Sequence, residues 1–99
     1  MGVDRKRVHV TITGTVQGVA FRAMTRNEAI RCNVLGWVRN RPDRRVEAVF
    51  EGRPDDVDRV VGWCRMGPSL AVVERVEMLE EPYTGAFTDF SIRYGPSGA

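Results

Sequence analysis

The sequence predicts an α+β sandwich, an antiparallel sheet with two helices on one face. Apolar residues alternate over 7–13 and 45–51 and, with one slip, over 71–80 and 88–94, the period of a half-buried strand. Helical spacing takes over at 22–32 and again from Pro54, with 34–40 as a return strand after the first helix. The order strand, helix, strand, strand, helix, strand, plus a short final strand, is the split βαβ arrangement of the ferredoxin-like fold. Ninety-nine residues make one domain, 1–99, able to bury roughly 60 to 70 per cent of its unfolded surface. The core is expected over about 7–94, with 1–6 and 95–99 as loose ends.

In the first strand Val8, Val10 and Ile12 share one face and His9, Thr11 and Thr13 the other. His9 is the only histidine, and its mid-strand place suits a surface or hydrogen-bonded role better than a catalytic one. The first helix presents Phe21, Met24, Thr25, Ala29 and Cys32 as a ragged inner stripe, with Ile30 off it. Asn33 stands where a left-handed residue ends a helix. The strand over 34–40 must then bring Asn40 back to the sheet end near the helix start. Arg41-Pro42-Asp43-Arg44 turns the chain into a third strand with Val46, Ala48 and Phe50 on one face. The second helix has Pro54 in its first turn, Asp55 and Asp56 at the positive dipole end, and Val57, Val60, Val61 and Cys64 on one face. A helix start explains Asp55, Asp56 and Asp58 more simply than a metal site does. Gly67-Pro68 ends that helix. The next strand slips out of alternation at Glu74-Arg75, the mark of a bulge, and the last aligns Phe90, Ile92 and Tyr94.

The stretch Gly14-Thr-Val-Gln-Gly-Val-Ala-Phe-Arg22 joins the first strand to the first helix. A glycine-punctuated turn can leave several backbone N–H groups converging, and the helix adds its positive end, so the run reads as an anion cradle. Arg22 supplies a planar fork of donors that keeps its charge near neutrality. Read alone, the same spacing also describes an ordinary tight turn with Gly18 present for a positive φ.

Several function classes fall away. The formal net charge of +2 favours small anions over nucleic acid. Lys6 is the only lysine, which removes Schiff-base and Walker-type chemistry. No apolar run suits a signal peptide or membrane span, so a cytoplasmic protein without membrane contact is expected. Cys32 and Cys64 are too few and too far apart for zinc and read as buried free thiols.

Val16-Gln-Gly-Val-Ala-Phe-Arg22, then Gly36-Trp-Val-Arg-Asn-Arg-Pro-Asp43, Gly67-Pro68 and Val73-Glu-Arg-Val76 together resemble the acylphosphatase family over about residues 7–94. The resemblance implies that the loop, through backbone amides of Val16, Gln17, Gly18, Val19, Ala20 and Phe21, holds a phosphate together with Arg22. It implies that Asn40 positions the attacking water. Ala20 and Ser69 depart from frequent family residues without removing a named group. Glycine is common in the family where Arg44 stands, so the turn beside Asn40 is expected to differ.

Elimination agrees with this reading. Neither cysteine opens a Cys-x-x-x-x-x-Arg run, the one Asp-x-Asp spacing, Asp56-Val57-Asp58, belongs to the start of the second helix, and metal-spaced histidines are absent from the sequence, which leaves water as the nucleophile. Without a strong base, a good leaving group is decisive, and a carboxylate leaving an acyl phosphate is one. The expectation is a metal-independent acylphosphatase without cofactor, acting as a monomer on a small acyl phosphate. Two rivals stand beside it. One is a non-catalytic anion sensor, or a module like that of carbamoyl-phosphate-using hydrogenase maturation proteins. The other is an RNA-binding ferredoxin-like domain, disfavoured because Glu47 and Glu51 would sit on the open sheet face.

Overall fold

The alternating start of the chain forms β1 (Lys6–Thr15), and the rest follows as α1 (Phe21–Arg31), β2 (Leu35–Asn40), β3 (Val46–Gly52), α2 (Pro54–Cys64), β4 (Val72–Glu81) and β5 (Phe90–Arg93). This is a computed structural model, and it describes residues 4–94. Of the expected loose ends, residues 1–3 and 95–99 lie outside the described residues, whereas Lys6 already belongs to β1.

The strands form one sheet in the order β4-β1-β3-β2-β5. Three of its pairings are antiparallel, as expected. The fourth corrects the expectation, since β5 runs parallel to β2 and makes the sheet mixed. Connectivity is the reason. Glu81, at the end of β4, pairs with Arg7 at the sheet end where β2 begins. Residues 82–89 cross there to the far edge, so β5 starts beside the start of β2 and runs with it.

Both helices pack on one face. Val8, Val10 and Ile12 from β1 meet Val46, Ala48 and Phe50 from β3, all fully buried. Above them α2 sets Val57, Val60, Val61 and Cys64, and α1 sets Phe21, Thr25 and Ala29, with Cys32 just beyond its end. The expected α1 stripe holds except at Met24, which is 42% exposed. The buried set runs 21, 25, 29, 32, so Met24 sits off the line that faces the sheet. Thr25 is admitted there because its hydroxyl donates to the Phe21 carbonyl at 2.7 Å, so no polar group is left bare.

Two backbone expectations are met. Asn33 adopts φ 60°, and the register between β1 and β4 shifts at Thr13/Gly14, leaving Glu74 as the extra residue. Gly14, at φ 140°, faces that shift so closely that a Cβ there would collide with the Val72 carbonyl oxygen. The bulge and the glycine thus start the cradle together.

The sheet face away from the helices is charged and paired. Glu47 accepts from Arg39 Nε at 2.6 Å and from His9 Nε2. Glu51 accepts from Arg7 Nη1 at 3.0 Å, from the Thr84 hydroxyl at 2.7 Å and from the Thr84 and Gly85 amides at 3.0 and 3.1 Å. Burial pushes both carboxyls up, but these bonds outweigh it and hold them below the usual carboxylate range. The two carboxylates placed on the open face by the sequence therefore do not present bare negative charge there. Glu51 also ties the 82–89 crossover to the sheet. Among the described residues no helix is long and apolar enough to cross a membrane.

Candidate active site

The cradle occupies the end of β1 and the start of α1. Gly18 turns at φ 74° and Ala20, the residue before the helix, at φ 63°. Left-handed residues in such a turn are the backbone element of anion-binding concavities. The first intrahelical bond runs from the Met24 amide to the Ala20 carbonyl at 3.1 Å. The Phe21, Arg22 and Ala23 amides precede it, where helix donors lack intrahelical partners. No acidic side chain lies in that first turn and no side chain caps it, so the positive end of the helix is left for an outside anion.

A cavity of about 170 Å³ opens over these amides, bounded by Gly18, Ala20, Arg22 and Asn40, with Ile92 and Tyr94 of the β5 edge as a further wall. Val16 and Phe21 also line it. Of the eight residues named from sequence, the structure brings six to this cavity. The other two face elsewhere. Val19 packs against the core, and the Gln17 side chain reaches the β2–β3 turn.

Arg22 makes no ion pair with a carboxylate among the described residues; its guanidinium lies 5.2 Å from the centre of the Tyr94 ring, a cation–π distance. The ring can hold the guanidinium without neutralising it. Asn40 is the last residue of β2, paired with Val46. Its Oδ1 is buried and has no hydrogen-bond partner among the described residues. Such an atom costs about 1–3 kcal/mol unless something donates to it, and the residue that carries it lines the cavity.

The turn after Asn40 keeps a positive φ without glycine, because Arg44 itself adopts φ 73°. The Arg41 amide donates to the Arg45 carbonyl at 2.8 Å, and Asp43 accepts from the Arg45 amide at 3.2 Å. The expected difference in geometry is thus replaced by strain borne on arginine. Three of the four hairpin arginines are engaged: Arg39 with Glu47, and Arg41 and Arg45 with Asp43. A larger groove of about 380 Å³ crosses the open face at His9, Thr11 and Glu77. Its two arginines, Arg41 and Arg45, are those already paired with Asp43.

The thiols are unsuited to attack. Both are buried and unpaired with each other, and burial pushes Cys64 up to about 12. Asp56 pairs with Arg59 and Asp58 with Lys6, so these acids serve the helix surface.

The acylphosphatase family model matches residues 8–92. The chain belongs to the acylphosphatase family. An acylphosphatase of Syntrophus aciditrophicus is 60% identical over 90% of this chain and 93% of its own. The crystal structure of the Bacillus subtilis acylphosphatase superposes with a TM-score of 0.87 at 31% identity, over 90% of this chain and 99% of that one. A full-length HypF in its phosphate- and nucleotide-bound form gives 0.84 at 27% identity, covering 93% of this chain but 12% of that much longer one.

Sequence reasoning missed Ile92 and Tyr94 as parts of this acylphosphatase cavity. Their alternation with Phe90 put all three on one face, but nothing local placed that face beside Asn40.

Proposed function

We propose that this member of the family hydrolyses an acyl phosphate to a carboxylate and inorganic phosphate, using a water held by Asn40. The observation that carries the reading is that Asn40, whose buried Oδ1 has no hydrogen-bond partner among the described residues, lines the same cavity as Arg22 and the residues of the helix start. The Asn40 amide holds a water by hydrogen bonding, so that a lone pair of the water oxygen faces phosphorus. The cradle amides of 16–21 and Arg22 bind the three non-bridging oxygens and stabilise their charge as the transition state forms. The water oxygen bonds to phosphorus, the bond from phosphorus to the acyl oxygen breaks, and its electron pair leaves with the carboxylate. A carboxamide is no base at neutral pH, so the water's proton passes to a phosphoryl oxygen. No step calls for a metal or cofactor. The same reading takes the chain as one domain, monomeric and cytoplasmic, with a small-molecule partner.

The test is hydrolysis of benzoyl phosphate with a chelator present, comparing the parent with Asn40→Ala. Chelator-resistant turnover that collapses in the variant is expected. A parent that binds phosphate but does not hydrolyse the substrate would overturn catalysis in favour of a non-catalytic anion module.

A further inference from the structure

We infer that Gln17 is a positioning residue whose side chain sets the phosphate cradle against the strand end that carries Asn40. This rests on the hydrolytic reading above. Gln17 lies within the cradle sequence, yet its side chain turns away from the cavity. Its Nε2 donates to the Arg41 carbonyl and to the Arg45 carbonyl, each at 2.9 Å. A primary amide has two N–H groups, and both are used. Among the described residues these are the only side-chain hydrogen bonds between 16–20 and 41–45.

The placement of the two acceptors gives the bridge its meaning. Arg41 directly follows Asn40, and its own amide donates to the Arg45 carbonyl at 2.8 Å. The Gln17 amide therefore clamps the closing pair of the β2–β3 turn. On the other side of the clamp, Gly18 follows Gln17 and lines the cavity. One residue next to each end of the bridge thus belongs to the site, one holding phosphate and the other holding water. Fixing that separation matters because an in-line attack starts with reacting atoms about 3–3.5 Å apart, and a misplacement of about 1 Å can cost 10²-fold. Glutamine suits the task chemically: a carboxylate would face two carbonyl oxygens with no proton to offer.

Gln17→Leu keeps the approximate volume and removes both donors. Its kcat on benzoyl phosphate should fall by roughly 10- to 100-fold, while the inhibition constant of inorganic phosphate stays within about threefold, because Arg22 and the cradle amides remain. Gln17→Glu supplies a second readout. Near pH 8 it should resemble Gln17→Leu, and its kcat relative to the parent should climb toward about pH 5 as protonation restores one donor. A part confined to folding would lower Tm and leave kcat unchanged well below the melt. A Gln17→Leu kcat within about twofold of the parent, or phosphate binding weakened in step with kcat, would overturn the inference. So would a flat pH ratio for Gln17→Glu, which decides alone if Gln17→Leu does not fold. A parent without hydrolysis strikes the hydrolytic reading and this inference with it, whereas an active parent with an unaffected variant strikes the inference only.

Discussion

Glu51 and Asn40 hold buried polar atoms at opposite ends of the same hairpin, and the chain treats them in opposite ways. Glu51, 2% exposed, accepts four hydrogen bonds from Arg7, Thr84 and Gly85. The Oδ1 of Asn40 accepts none among the described residues. Arginines divide in the same manner. Arg7 bridges Glu51 and Glu81, while Arg22 meets only the face of a tyrosine ring among the described residues. At one end polarity is saturated and holds the fold. At the other it is left open, at a cost to stability that a bound substrate and water would repay.

Substitutions at the two ends should therefore separate activity from stability. The largest effect is expected from Arg22→Ala, which should lose at least about 10² to 10³ in kcat/KM with weaker inhibition by phosphate. Asn40→Ala should lower kcat more than it weakens phosphate binding. Because it removes an unsatisfied atom, its urea midpoint should match or exceed the parent's. A large loss of stability in Asn40→Ala would break the contrast.

Glu51→Ala should do the reverse. It leaves Arg7 with Glu81 as its one carboxylate partner and strips the Thr84 and Gly85 amides of their acceptor, and should cost about 3 kcal/mol, read as a fall of some 12–24 °C in Tm. Turnover of the folded fraction should stay close to the parent's. The pH dependence of stability sharpens the point. Glu47 and Glu51 sit below their unfolded values, so their contribution is complete above about pH 4.3 to 4.5 and is lost as pH falls through their lower folded values. Thermal melts should plateau near neutrality and drop below about pH 4.5, with a shallower drop in Glu51→Gln. The smallest effect is expected at Arg44, where φ 73° strains a side-chain-bearing residue. Arg44→Gly should gain up to about 1 kcal/mol with unchanged kcat.

What the sequence could reveal depended on how local the cause was. Strands and helices followed from period, and the bulge from two residues out of step at Glu74-Arg75. Asn33 was legible because few residues tolerate a left-handed turn. The cradle was legible because glycine spacing and a trailing arginine lie within nine positions. The mixed sheet was not, since the direction of β5 depends on where a crossover lands. Nor were the partners of Glu47 and Glu51, which come from neighbouring strands, nor the reach of Gln17, whose acceptors are backbone carbonyls and carry no residue signature. Met24 misled because a ragged stripe admits two helix faces, and packing selected the one through Thr25.

The 82–89 crossover also orders events in time. The cavity takes its floor from residues of the β1–α1 junction and one wall from Ile92 and Tyr94, delivered only after 82–89 has crossed to the far edge of the sheet. A ribosome-bound chain that has emerged as far as β4 would have the cradle and Asn40 but lack the ring that steadies Arg22. Competence for chemistry therefore arrives only with β5, and the long-range pairings that deliver it are the kind that make a small domain fold slowly.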